Sequence, residues 1–391
     1  MDLLIFYNIL SDPGISAIAE DDKITALKYI IQYGETEAVT QDAVHEYIAK
    51  TLADDDNILA SLLRSGKAIG EDLKKAALSD LEMIYNKLYC TTLKYTPSGN
   101  SPAFFKGYKE SLLKITGADS AKALFEALCS HYKTLGSGIL SKYIAFKYDD
   151  ELTGVIADKN VTFDSLIGLD YQKKILIDNS KAFVEGKTAN NVLLFGDRGT
   201  GKSSCVKAIL NILADEGLRM IEIPKRMITK IPALTDYLSK SPHKYILFLD
   251  DLSFESHDSD YRALKIAMDG QLQEHPDNVL IYATSNRRHL IKESWADREG
   301  GDVHRNDNMQ EALSLSERFG ISLVFSAPNQ SEYLSIVRGI LERNGVECTP
   351  ELEKRAIVWQ MNYGGRNPRL AKQFAASVLA ENDKSGHIGL I

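Results

Sequence analysis

The chain has 391 residues, enough for two or three domains whose cores need no disulfide framework. Hydrophobic residues make up 44% and charged residues 26%, the composition of folded chains rather than disordered ones. Lys plus Arg number 46 against 54 Asp plus Glu, a net charge of -8, which disfavours a surface that grips nucleic acid through its phosphates.

Residues 1–141 read as an all-helical region. Ile24, Leu27, Ile30 and Ile31 fall on one predicted face, and Leu73, Ala76, Leu81, Ile84 and Leu88 trace the same spacing of three and four. Helix stops intervene at Asp54-Asp55-Asp56-Asn57 and at residues 96–102. The apolar stretch from Leu3 to Tyr7 has no basic segment before it and ends at Asn8, a poor targeting signal, and no run approaches the roughly 18 apolar residues of a membrane span. Cys90, Cys129, Cys205 and Cys348 lie far apart without metal-ligand spacing and read as reduced thiols. The expectation is a cytoplasmic protein without a membrane segment.

The pattern changes near residue 142. Residues 142–160 read as an extended linker or hairpin around Asp149-Asp150. Short apolar runs then alternate with helical segments at 192–195, 220–223, 245–249, 279–283 and 321–325, which predicts an α/β unit with a parallel five-stranded sheet sandwiched by helices. Residues 161–327 form the expected core and residues 328–391 a C-terminal helical lid.

Gly196-Asp197-Arg198-Gly199-Thr200-Gly201-Lys202-Ser203 fits the P-loop pattern G-x-x-x-x-G-K-[ST], after one predicted strand and at the start of a helix. Glycines let backbone N–H groups turn inward around phosphate, and the helix N-terminus adds the positive end of its dipole. Lys202 would reach the β- and γ-phosphates and Ser203 would ligate Mg²⁺. The run Tyr245 to Leu249 ends in Asp250-Asp251. Asp250 would hold Mg²⁺ and Asp251 would polarise the attacking water, the plain alternative being two acids that only cap a strand. The next strand ends in Thr284-Ser285-Asn286, where a polar side chain could reach the γ-phosphate or the water, or simply cap a turn.

Together these residues resemble the AAA+ superfamily of ATPases over roughly residues 155–385. The resemblance implies ATP and Mg²⁺ as ligands, with Leu166, Ile167 and Gly168 lining the adenine pocket and Ser204 continuing the phosphate loop. It implies Asn286 at the sensor 1 position and Arg318, in Leu315-Ser316-Glu317-Arg318-Phe319-Gly320, as an arginine finger supplied to a neighbouring subunit. Gly365-Arg366-Asn367-Pro368-Arg369-Leu370 resembles the sensor 2 box, with Arg369 or Arg366 as its arginine. More narrowly, residues 190–204, 247–254 and 283–290 look like a bacterial AAA+ ATP-binding family known as a domain of unknown function.

Two departures are visible. The second Walker B residue is usually Glu, and Asp251 is one methylene shorter, which points to slow hydrolysis. The segment Pro224 to Pro232 has no aromatic residue and no glycine, unlike the loop of threading unfoldases. The resulting expectation is an ATPase that drives a conformational change on a protein partner held by residues 1–141, assembled as a ring or another head-to-tail oligomer. A nucleotide-gated switch with little turnover and a helicase-loader role are the alternatives. Arg287-Arg288-His289 reads as an interface or a solvated turn more readily than as a nucleic-acid patch.

Overall fold

Some of the acidic residues sit at helix starts. In the computed structural model, which describes residues 1–99, 104–254, 259–269, 276–286 and 317–386, Asp12, Asp22 and Asp42 each accept backbone N–H groups at the N-termini of α1 (Pro13–Ala19), α2 (Lys23–Thr36) and α3 (Ala43–Asp54). Asn57 closes the acidic stop after α3 and caps α4 (Ile58–Arg64). Then come α5 (Glu71–Ile84), which runs into a π turn, α6 (Lys106–Thr116), α7 (Ala121–Thr134) and the short α8 (Ile139–Lys142).

The chain divides into two compact units. The first comprises residues 1–147, 151–156 and 236–244. Its core is helical and gathers Phe6, Ile15, Ile30, Leu52, Leu81 and Tyr132. One predicted face needs correction. In α2 the buried positions are Ala26, Ile30, Tyr33 and Gly34, whereas Ile24 is 86% exposed and Ile31 is also exposed. Two overlapping apolar spacings coexist in this helix, and packing selects the one that carries the small residues.

The second unit comprises residues 148–150, 157–235 and 245–391. The hairpin of β1 (Ala145–Asp149) and β2 (Glu151–Val155) is divided between the units, with only residues 148–150 in the second, and it turns at Asp150, whose φ of 62° lies in the left-handed region. The elements that follow are α9 (Asp170–Val184), β3 (Val192–Gly196), α10 (Lys202–Leu213), β4 (Leu218–Glu222), α11 (Ile231–Leu238), β5 (Lys244–Leu249), α12 (Ser259–Asp269), β6 (Val279–Ser285) and β7 (Ile321–Phe325). Strand order is β2-β1-β4-β5-β6-β3-β7, so the hairpin adds two strands to the five expected from apolar runs alone.

β4 begins earlier than its apolar run. Arg219 lies inside it, fully buried, and its Nη1 donates to the carbonyls of Ala214 and Leu218 at 3.0 and 2.9 Å. A charged residue reads as loop in the sequence, and local carbonyls are what make its burial tolerable.

The central pairings are parallel. Phe195 faces Ser285, Leu249 faces Ala283 and Gly196 faces Phe325. Because β6 lies between β3 and β5, the residues after these three strands emerge side by side at the carboxyl edge of the sheet, where open α/β sheets bind ligands.

Three helices complete the chain: α13 (Gln330–Arg343), α14 (Pro350–Asn362) and α15 (Pro368–Gly386). Asn329 and Glu332 form a capping box at α13, and Thr349 caps α14 ahead of Pro350. These helices share a core of Tyr333, Val337, Leu341, Phe374 and Val378, against which Ile167 packs. Among the described residues no helix is long and apolar enough to cross a membrane, and all four cysteines are free thiols.

Candidate nucleotide site

The P-loop folds as its glycines require. Gly196 has a φ of 133°, and a Cβ there would stand 2.2 Å from the Phe325 carbonyl oxygen, so only glycine lets the loop leave β3 so close to β7. Asp197 secures the exit: its N–H donates to the Phe325 carbonyl at 2.8 Å and its carboxylate accepts the Ala327 N–H at 2.7 Å. Thr200 closes the turn by donating to the Asp197 carbonyl at 2.8 Å. Gly201, with φ of 101°, then starts α10 at Lys202.

Lys202 is 7% exposed, and its ammonium donates to the carbonyls of Gly196 (2.9 Å) and Asp197 (2.6 Å) and to Asn286 Oδ1 (3.2 Å). Burial pulls its pKa below the ordinary lysine value, while Asp197, Asp251 and Asp250 push it back up. The neighbouring Ser203 hydroxyl donates to Asp250 Oδ1 at 2.6 Å. These hard oxygen donors, set at a phosphate-binding loop, fit the way Mg²⁺ is held by one carboxylate, a hydroxyl and substrate phosphates.

Asp251 follows with a φ of 53°, a left-handed conformation that is costly for a residue with a side chain. Asn286 Nδ2 donates to Asp251 Oδ1, so one amide bridges the P-loop lysine and the second acid.

A cavity of about 560 Å³ opens over this edge. Its polar side holds Arg198, Lys202, Ser203, Asp250, Asp251 and Asn286, and its apolar side holds Leu166, Ile167, Leu169, Ile336 and Ile340. α15 contributes Arg369 and Lys372. Ile167 also touches α13, where a Cβ on Gly339 would lie 2.5 Å from Ile167 Cδ1, so the segment before α9 and the C-terminal helices share one wall. Asn367 comes within 3.1 Å of the Cβ position at Gly199 and accepts the Leu370 N–H.

A family model described as a protein of unknown function (DUF815) matches residues 141–382, more than half of the chain. The chain belongs to the DUF815 family. No curated protein matches it. Solved structures similar to it include the Thermotoga maritima RuvB Holliday junction branch migration motor, at 16% identity over 56% of this chain and 72% of that one, TM-score 0.34. The replication initiator DnaA bound to AMPPCP and single-stranded DNA is similar at 15% identity over 57% and 66%, TM-score 0.41. The FIGL-1 AAA domain in complex with ADP is similar at 19% identity over 51% and 68%, TM-score 0.33. At such identities and scores these likenesses carry no argument, and the α/β fold of this DUF815 protein rests on its own strand order and loop.

Of the residues singled out in the sequence, Leu166, Ile167, Arg198, Gly199, Thr200, Gly201, Lys202, Ser203, Ser204, Asp250, Asp251, Asn286 and Arg369 line one cavity. Gly196 and Asp197 lie outside the lining but hold Lys202 through their carbonyls, and Gly168 and Arg366 are also not in its lining. Arg318 is half-buried before β7 and also lies outside the lining. Residues 287–289, and Leu315 and Ser316 of the box before Arg318, lie outside the described residues.

Sequence reasoning missed Lys372 and the hydroxyl of Thr284. Lys372 follows Arg369 by three positions, the spacing that places two side chains on one helix face. Arg198, Arg369 and Lys372 make no ion pair among the described residues, leaving four cations with Lys202 against the carboxylates of Asp250 and Asp251 in the lining. Such an excess of cations in a concave site suits a polyphosphate.

Proposed function

We propose that this protein binds ATP with Mg²⁺ and hydrolyses it to drive a conformational change on a protein partner. The observation that carries the reading is one cavity that joins the P-loop, the Asp250-Asp251 pair, Asn286 and two cations from the lid. The base would lie against Leu166, Ile167, Leu169, Ile336 and Ile340, and the triphosphate along Lys202, Arg198, Arg369 and Lys372.

Nucleotide would take over acceptor positions now filled by protein groups. Lys202 would exchange the loop carbonyls and Asn286 for β- and γ-phosphate oxygens. Ser203 and Asp250 would hold Mg²⁺, which when bound neutralises charge on the phosphates. Asp251, released from Asn286, would orient and polarise the attacking water, and Asn286 would report the γ-phosphate. Contacts from Arg369 and Lys372 would change with phosphate loss and move the lid, which residues 1–141 would pass to a bound partner.

Arg318, outside its own cavity, would serve the site of a neighbouring copy in a head-to-tail assembly. The bond between Asn286 and Asp251 favours a second reading, a nucleotide-gated switch with slow turnover, because the acid that would activate water is already engaged.

Two variants test the proposal by calorimetric ATP titration and steady-state phosphate release. Lys202→Ala should lose about 100-fold or more in ATP affinity. Asp251→Asn should bind ATP within about threefold of the parent and lose about 100-fold in turnover. Wild-type turnover in Asp251→Asn would remove Asp251 from catalysis, and undetectable turnover in the parent with intact binding would favour the switch.

A further inference from the structure

The two acids after β5 are held by a side chain that no sequence motif marks. Thr284, near the end of β6, is 1% exposed. Its hydroxyl makes two bonds at once: it donates to Asp250 Oδ1 at 2.5 Å and accepts the Asp251 N–H at 2.9 Å. Its carbonyl accepts the Leu252 N–H at 2.7 Å. Three successive residues of one strand exit are therefore tied to a single residue of the neighbouring strand.

These bonds account for the backbone of Asp251. A left-handed conformation costs a residue with a Cβ about 1–2 kcal/mol, so it persists where surrounding contacts over-determine it. In this conformation the Asp251 carboxylate meets Asn286 Nδ2, while Asp250 faces Ser203. Because Asp is one methylene shorter than Glu, fewer side-chain torsions are available to absorb an error in backbone placement.

We infer that Thr284 is a positioning residue whose hydroxyl sets Asp250 for the metal and Asp251 for the water in the same act. This rests on the ATPase reading above. A hydroxyl suits the task because it offers a donor and an acceptor on one short arm. Valine keeps the shape and offers neither. Serine keeps both functions and loses only a methyl group.

The test uses the full chain with Thr284→Val and Thr284→Ser, following affinity for fluorescent ATP across a Mg²⁺ titration, turnover, and amide hydrogen exchange at Asp251. Thr284→Val should bind nucleotide without Mg²⁺ within about threefold of the parent, need about tenfold more Mg²⁺ for half-saturation, and turn over about tenfold more slowly at saturating ATP. Its Asp251 amide should exchange faster, having lost its acceptor. Thr284→Ser should stay close to the parent in all these measurements.

Parental Mg²⁺ demand and turnover in Thr284→Val would overturn the inference. So would a Thr284→Ser variant as impaired as Thr284→Val, since the methyl group and not the hydroxyl would then matter. If the parent neither binds nor hydrolyses ATP, the ATPase reading fails by itself, and unchanged exchange at Asp251 in Thr284→Val would overturn the clamp independently.

Discussion

The core of the first unit and the sheet edge of the second treat their polar groups in opposite ways. In the first, carboxylates are consumed by the backbone: Asp80 accepts the N–H groups of Leu4, Ile5 and Phe6, and Glu46 accepts those of Val39 and Thr40 together with the Tyr33 hydroxyl. In the second, the groups at the sheet edge satisfy one another provisionally, and the cations Arg198, Arg369 and Lys372 face a shared cavity without ion pairs among the described residues. A carboxylate wrapped by backbone N–H groups would strand them if it turned to a ligand. A cation that faces like charges across a cavity is stabilised by whatever anion enters. The difference assigns architecture to Asp80 and Glu46 and chemistry to the cavity.

This contrast can be broken from either side. The largest effect is expected from Asp80→Ala, which strands three backbone N–H groups of the N-terminal segment and should cost about 3–4 kcal/mol in denaturant unfolding. Its ATP affinity, measured on protein folded at low temperature, should match the parent. A fall in affinity without a fall in stability would reverse the assignment.

His131 gives the next effect, and it depends on pH. Its Nδ1 meets the Ser111 hydroxyl at 2.9 Å, Nε2 has no hydrogen-bond partner among the described residues, and burial holds the imidazole down at about 4, opposed by the field of Asp54 and aided by Lys142. The unfolded chain takes up this proton near 6.5 and the folded chain only near 4. Stability is therefore whole above about pH 6.5 and falls as pH drops toward 4, by about 3 kcal/mol at the limit. Between pH 7 and 4.5 a His131→Gln variant should lose about 2 kcal/mol less than the parent in urea unfolding. Equal losses would mean that another group titrates.

The smallest effect tests the cavity. Lys372→Ala should weaken ATP about tenfold and ADP by less, while leaving stability within about 0.5 kcal/mol, because an exposed cation on a helix contributes little to folding. Equal weakening of ATP and ADP would place Lys372 away from the terminal phosphate.

Legibility in the sequence followed chemistry more closely than packing. Lys202, Ser203 and Asp250 were readable because a phosphate loop requires those residue types at fixed spacing around glycines. Thr284 was not, since a threonine at the end of an apolar run looks the same whether its hydroxyl meets solvent or two neighbouring acids. Lys372 was hidden for a similar reason: helical spacing relates it to Arg369, but nothing in the spacing says which helix face meets the P-loop. Ile24, which its spacing put on the apolar face, is exposed, and Arg219, just outside the expected apolar run, is a buried part of β4.

By itself the amino-acid order determined the class of fold, the order of strands and helices along the chain, and the residues proposed to bind phosphate. All of these depend on local periodicity or on a short contiguous motif. The tertiary structure decided which of those residues share a site, because β6 is inserted between β3 and β5 and brings residue 284 to residues 250 and 251. That juxtaposition comes from parallel crossovers between segments more than 30 positions apart. It follows from how the strands pair, which no local spacing encodes.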